Sequence, residues 1–229
     1  MAGATVAIVL AAGAGQRLGA GQPKAFVALG SRTILEIAAA NAEACGEIVS
    51  LVVTVPTGTE EQARRILGSL TKPVAVVAGG VSRQESVRLA LGSVPADTES
   101  VAVHDAARCL ASPGLFSKVI LAANLADGAI PILPVLDTVK RIMGGIAAAT
   151  VPREDLALAQ TPQVFRADSL RDVHVRAAEE GLSFTDDAAM FERAGLRVAT
   201  VVGEETNFKI TTPADVLRAT AVLGGDVDG

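Results

Sequence analysis

"IVLAAGAGQRLGAGQPKAF", residues 8–26, is an apolar run that opens into glycines and then into cations. Gly13, Gly15 and Gly19 are spaced G-x-G-x-x-x-G, one residue longer than the dinucleotide-binding turn G-x-G-x-x-G. On its residues alone the stretch is either a tight strand-to-helix turn or a cradle for phosphate. Gly13 and Gly15 would let backbone N–H groups approach phosphate oxygens closely, and a following helical turn would add its dipole. Arg17 and Lys24 favour the cradle: one offers a planar fork, the other a compact point charge. The pattern G-x-x-x-x-G-K-[ST] is absent, since Lys24 follows Pro23 and precedes Ala25, so a simple P-loop is excluded.

The rest of the chain repeats the alternation that begins here. "TVAIVL" (Thr5–Leu10), "IVSLVVTV" (Ile48–Val55), "VAVVAG" (Val74–Gly79), "SVAVHD" (Ser100–Asp105), "AIPILPV" (Ala129–Val135) and "RVATVV" (Arg197–Val202) are near-continuous apolar runs. Such runs belong to strands covered on both faces. Helix starts lie between them. Thr33-x-x-Glu36, Thr59-x-x-Gln62 and Ser82-x-x-Glu85 predict capping boxes, while Ser112-Pro113 and Thr212-Pro213 set an N-cap before a first-turn proline. The expected fold class is therefore α/β, a doubly wound, mostly parallel, Rossmann-like sheet with right-handed crossovers. It is read as one domain over residues 1–229. Residues 134–155, "PVLDTVKRIMGGIAAATVPRED", alternate about Gly144-Gly145 and predict a protruding β-hairpin arm. Its apolar residues need a further surface, and a second copy of the chain is the simplest supplier.

Composition narrows the function classes. Of the 229 residues half are hydrophobic, a fifth are charged and 3% are aromatic, with no Trp or Tyr. A core of Val, Leu, Ile and Ala suits a parallel sheet, and base-stacking surfaces for single-stranded nucleic acid are missing. The net charge of −5 supplies no global field for nucleic acid or an anionic membrane. Cys45 and Cys109 form no metal-binding pair and read as reduced thiols. No apolar run reaches the ~18 residues of a membrane span. With the first strand starting at Thr5 and no leader pattern before it, a cytoplasmic protein is expected.

Ligands of open α/β sheets bind beyond the carboxyl ends of the strands. Those ends carry "LAAGAGQRLG", "AGGVSRQES" and "HDAAR" here. Gly79-Gly80 is either a plain turn or backbone presented to a flat base, with Ser86 as a polar reader and Arg83 near the same edge. Asp105 closes an apolar strand where Mg²⁺ between phosphates and protein would want a hard oxygen. The small Ala106-Ala107 then leave room before Arg108. His104 reads as a structural histidine rather than a base, and His174 as a surface residue. Late in the chain come Thr138, Lys140 and Arg153 in the arm, Thr185-Asp186, and "NFKIT" (Asn207–Thr211). Lys209 there sits in a strand-like apolar run, where a charge is costly unless it meets an anion.

"LAAGAGQRLGAGQPKAF", "AGGVSRQES", "VHDAAR", "DTVK", "TPQVF", "TDDA" and "NFKITTPAD" resemble, in order and over nearly the whole chain, the 2-C-methyl-D-erythritol 4-phosphate cytidylyltransferases. The glycine loop alone would indicate only the wider sugar-nucleotidyltransferase superfamily. The resemblance implies transfer of CMP from CTP to the methylerythritol phosphate. The products are 4-diphosphocytidyl-2-C-methyl-D-erythritol and pyrophosphate, in non-mevalonate isoprenoid synthesis, by a Mg²⁺-dependent homodimer with interlocked arms. It makes Arg17 and Lys24 transition-state stabilisers at the CTP phosphates. Lys209, with Arg153 reaching from the partner's arm, would position the acceptor phosphate. Leu10, Ala11, Ala12, Gly13, Ala14 and Gly15, with Gly80, Ser86 and Ala106, would hold the nucleotide. Asp105 would serve the metal and ribose, and Arg108, Thr138 and Thr185 the acceptor. Leu10 stands where many members have Pro, Val81 where a polar or acidic residue is common, and Cys109 where Pro often follows the arginine. A ribitol 5-phosphate cytidylyltransferase and a non-catalytic CTP-binding module are the alternatives. A nicotinamide enzyme is excluded by the glycine spacing and by Val53-Thr54-Val55-Pro56, where an acidic residue should close the second strand.

Overall fold

The computed structural model describes residues 4–13, 15, 18 and 21–224, so Ala14 and Arg17 of the expected site lie outside the described residues. Besides a two-residue ladder of Ala28–Leu29 with Arg32–Thr33, the strands in chain order are β1 (Thr5–Leu10), β2 (Ile48–Val55), β3 (Val74–Ala78), β4 (Ser100–Asp105), β5 (Gly128–Pro134), β6 (Val139–Met143), β7 (Ile146–Val151), β8 (Ala157–Ala159), β9 (Gln163–Arg166) and β10 (Val198–Val202). The helices are α1 (Ile34–Glu43), α2 (Glu60–Ile66), α3 (Arg83–Leu91), α4 (Pro113–Ala123), α5 (Ala167–Glu179), α6 (Asp187–Arg193) and α7 (Pro213–Gly224). All six expected apolar runs are strands, displaced by at most one residue at an end.

The main sheet runs β8-β5-β9-β4-β1-β2-β3, with β10 also paired to β5. β1 pairs in parallel with β2 and β4, β2 with β3, and β5 with β10. β8 and β9 are antiparallel to their neighbours, so the sheet is mostly rather than wholly parallel. Successive residues of β1 face opposite layers. Ala7 and Val9 join the core under α1 and α4, and Val6 and Ile8 join the core under α3, α5 and α6. Two buried faces explain why the strand reads as an unbroken apolar run. Each fully buried Val, Leu, Ile or Phe in these layers contributes roughly 1.5–3 kcal/mol.

After β1 the chain steps through β2 to β3 at one side, then returns to place β4 on the other flank of β1. The switch point falls between the carboxyl ends of β1 and β4, where Leu10 and Asp105 are register partners. A doubly wound sheet opens its ligand crevice at that place.

Local signals were mostly met. Thr33 and Glu36 form the full capping box, Ser82 accepts from Glu85 N, and Ser112 accepts from Leu115 N ahead of Pro113. Thr59 departs from expectation: its hydroxyl donates to Pro56 O at 2.7 Å instead of capping α2. Asn207–Thr211 also departs, being irregular backbone and not a strand. The hairpin is present: β6 pairs antiparallel with β7 about Gly144 (φ 55°) and Gly145 (φ 80°), the two positive φ values that a type I′ turn needs. It stands away from the sheet, with Leu136, Ile142, Met143 and Ile146 exposed. Among the described residues, no helix is long and apolar enough to cross a membrane.

Candidate active site

The loop after β1 is tied to its neighbour strand at the start, where Ala11 N donates to Thr54 O at 2.8 Å. Gly15 has φ +64°, and a Cβ there would come within 2.5 Å of Lys24 Cβ. The glycine thus lets the Lys24–Phe26 turn fold back against the loop. Lys24 Nζ donates to Ile210 O at 3.1 Å, which leans it toward the segment that carries Lys209.

The loop after β3 closes on the first. A Cβ on Gly79 would lie 2.3 Å from Ala12 Cβ, so only glycine permits this approach. Ser86 is buried and already engaged: its Oγ accepts from Gly80 N at 3.1 Å and donates to Ser82 O at 2.8 Å. It holds the Gly80 backbone in place. Val81, fully exposed, donates its N–H to Glu85 Oε2 at 2.8 Å, a backbone role indifferent to its side chain.

At the end of β4 the backbone N of Asp105 donates to Thr161 Oγ1 at 3.0 Å, and the same hydroxyl lies 3.0 Å from His104 Nδ1. His104 is buried beside Phe116, and burial pushes it down to about 4, so it is neutral and remote from base duty. The Asp105 carboxylate lies between two cations. Arg83 Nε donates to Oδ1 at 3.3 Å and Lys209 Nζ to Oδ2 at 2.6 Å. Burial alone would raise Asp105, but Arg83 and then Lys209 outweigh it and hold the carboxyl well below its usual range.

The file of charges continues inward. Arg83 Nη1 donates to Asp187 Oδ2 at 2.7 Å, and Asp187 Oδ1 lies 2.8 Å from His174 Nε2. His174, expected at the surface, is instead 1% exposed. Leu170, Val173 and Ala177 are its buried neighbours on α5, and the set 170, 173, 174, 177 is one helical stripe. That spacing was the available signal for its burial.

Buried amides shape the segment before Lys209. Gln160 Nε2 donates to Glu204 O at 2.8 Å, and its Oε1 accepts from Glu204 N at 3.1 Å and from Asn207 Nδ2 at 3.2 Å. Arg108 Nη1 donates to Asn207 O at 2.9 Å, and Ile210 N to Ala107 O at 2.8 Å. Irregular backbone is thereby fixed without a strand, and Lys209 is aimed by its neighbours' hydrogen bonds.

Two cavities flank this construction. The larger, about 320 Å³, is lined by Leu10, Ala11, Ala12, Gly13, Lys24, Gly80, Ser86, Asp105, Ala106 and Lys209 among others. The smaller, about 200 Å³, includes Arg108, Thr161, Gln163 and Thr185. Arg83, Asp105 and Lys209 line both and form the wall between them. Thr138 and Arg153 are not brought to either cavity by this single chain. Both are exposed on the arm, where Arg153 Nη1 donates to Leu136 O and Lys140 Nζ to Thr150 Oγ1. Gln160, Thr161 and Asp187 were missed from the sequence, because Glu204, Asp105 and Arg83, which engage them, stand 44, 56 and 104 positions away.

No group of three or more His, Cys, Asp or Glu side chains that could hold a metal occurs among the described residues. Among the described residues, Asp105 is the one carboxylate lining the larger cavity. That donor set suits a hard cation carried mainly by phosphate oxygens and touched by a single carboxylate, as Mg²⁺ is in nucleotide sites.

A family model described as 2-C-methyl-D-erythritol 4-phosphate cytidylyltransferase matches residues 5–225. The protein of that name from Rhodococcus jostii (strain RHA1) is 44% identical over 223 residues, 96% of each chain. A bifunctional enzyme IspD/IspF from Bradyrhizobium sp. (strain ORS 278) is 44% identical over 227 residues, covering 97% of this chain and 57% of that one. The chain thus spans little more than half of the bifunctional relative. Among solved structures, the 4-diphosphocytidyl-2C-methyl-D-erythritol synthase of Anaerococcus prevotii DSM 20548 superposes with a TM-score of 0.87 at 29% identity, over 97% of both chains.

Proposed function

Because the chain belongs to the 2-C-methyl-D-erythritol 4-phosphate cytidylyltransferase family, we propose that it transfers CMP from CTP to 2-C-methyl-D-erythritol 4-phosphate. The observation that carries this reading is the common wall of Arg83, Asp105 and Lys209 between two cavities at the switch point of the sheet. CTP takes the larger cavity, beside the Leu10–Gly13 and Gly80 backbones. The polyol phosphate takes the smaller one, beside Arg108 and Thr185.

An acceptor phosphate oxygen attacks the α-phosphorus of CTP. The new P–O bond forms as the bond to the α–β bridging oxygen breaks, and pyrophosphate leaves with that electron pair. The nucleophile is anionic at neutral pH, so no general base is needed, in keeping with a buried neutral His104. Catalysis then rests on positioning and on neutralising charge. Lys24, with Arg17, stabilises the α-phosphate oxygens and the leaving group. Lys209 and Arg108 hold the acceptor phosphate in line. Asp105 would help to hold a Mg²⁺ ion at this place, and the ion would supply further charge neutralisation.

Arg153 and Thr138 enter on the arm of a second copy. The exposed Leu136, Ile142, Met143 and Ile146 support a homodimer, since a two-stranded hairpin with an apolar surface is not stable alone in water. Residues 1–229 form one catalytic domain with 134–155 as its dimerisation element. A cytoplasmic location belongs to the same reading; among the described residues, no helix is able to cross a membrane. The test is pyrophosphate release with CTP, Mg²⁺ and a panel of polyol phosphates. Fast release with the methylerythritol phosphate alone is expected. Preference for ribitol 5-phosphate would transfer the assignment to that acceptor, and CTP binding without release would leave a binding module.

A further inference from the structure

Asp187 and His174 line neither cavity, yet they stand directly behind the wall that both cavities share. Asp187 is 0% and His174 1% exposed, so the carboxylate is wholly withdrawn from water. Burying a carboxylate costs several kcal/mol per ion and is repaid only by close, well-directed partners. Asp187 has two of them: Arg83 Nη1 at 2.7 Å and His174 Nε2 at 2.8 Å. Arg83 in turn gives its Nε to Asp105 at 3.3 Å. A guanidinium is rigid and planar, so fixing Nη1 on one carboxylate fixes the plane in which Nε reaches the other. The three groups lie on α6, α5 and α3, which makes the relay a tertiary construction.

We propose that Asp187, steadied by His174, is a positioning residue for nucleotidyl transfer. It orients Arg83, and Arg83 sets the Asp105 carboxylate against Lys209 and the nucleotide. The inference rests on the cytidylyltransferase reading given above, and it extends the working site inward by two residues that touch no substrate. A purely structural tie between α3 and α6 would predict loss of thermal stability without a selective effect on CTP.

The full-length protein with Asp187→Asn, Arg83→Ala, or both is compared with wild type by thermal melting, by equilibrium dialysis of CTP without acceptor, and by kcat and KM for each substrate. Asp187→Asn is expected to weaken CTP binding and raise its KM by about tenfold, the scale of one lost charge-assisted hydrogen bond. KM for the acceptor should move less. The double variant should bind CTP no more weakly than Arg83→Ala alone, because Asp187 acts only through Arg83. Wild-type CTP affinity in Asp187→Asn, or multiplied losses in the double variant, would overturn the proposal. If Asp187→Asn does not fold, His174→Gln and His174→Leu take its place. Tighter CTP binding by the glutamine variant supports the relay, and equal binding by the two refutes it. Dialysis reads this relay even if the wild type releases no pyrophosphate, so failure of the function assignment is seen separately.

Discussion

Lys209 Nζ stands 2.6 Å from Asp105 Oδ2, joining two side chains 104 positions apart in the chain. A lysine assigned to an anionic substrate is thus also held by a protein carboxylate. The pairing fixes the ammonium within the wall between the cavities, a preorganised position for meeting phosphate charge.

Lys24 is the cation whose removal should be most telling. Lys24→Ala is expected to lower turnover by about 10²–10³, the scale of losing one preorganised charge-stabilising donor, with the fold retained. Pyrophosphate release and a thermal melt measure the two halves of this expectation. Near wild-type release would remove Lys24 from the chemistry.

Arg153 lies on the arm, away from its own chain's cavities, so its contribution should come in trans. Mixed dimers of Arg153→Ala and Lys24→Ala subunits should recover activity that neither homodimer has. Verified heterodimers without recovery would mean that each site is built from one chain.

Gly79 tests the contact between the two glycine loops. Gly79→Ala places a Cβ 2.3 Å from Ala12 Cβ and 3.0 Å from Ser86 Oγ. Overpacking of this kind costs roughly 1–3 kcal/mol, and displacement of Ala12 should raise KM for CTP. Gly46→Ala, where a Cβ meets nothing within 4 Å, is the matched control and should leave both quantities unchanged. Equal behaviour of the two variants would refute the close-approach argument.

His104 gives the fold a defined acid sensitivity. Its folded value of about 4 lies below the ordinary value of 6.5 because burial disfavours the imidazolium. Above pH 6.5 neither state binds the proton and the group contributes nothing. Between pH 6.5 and 4 the unfolded chain takes the proton up while the native chain does not, so stability falls as pH falls. The loss is on the order of 3 kcal/mol across that window. Denaturant titrations at pH 7, 5.5 and 4 should show a steeper decline for wild type than for His104→Asn; parallel declines would contradict it.

The parallel strands were legible because burial on both faces leaves a continuous apolar signature, as in Val6–Val9. β8 and β9 were not. Residues 157–166 are short, carry Gln160 and Thr161, and are broken by Pro162. The polar pair is buried only because Glu204, Asn207 and the Asp105 backbone satisfy it from distant positions. Lys209 was singled out for sitting in a strand, yet it occupies fixed irregular backbone. The charge is met there by the Asp105 carboxylate, 2.6 Å away. The glycine loops and Asp105 could be read locally, since close backbone approach and a strand-end carboxylate are properties of short stretches. The inward relay joins helices whose sequences say nothing of one another.

The wall of Arg83, Asp105 and Lys209 has a thermodynamic corollary. Two ligands that press on the same three charged side chains from opposite sides cannot bind as strangers. Whatever factor an occupied nucleotide cavity imposes on acceptor affinity, an occupied acceptor cavity imposes on nucleotide affinity, with the same size and sign. On the proposed assignment of the two cavities, a single partition thus makes donor and acceptor effectors of each other, before any bond between them has begun to form.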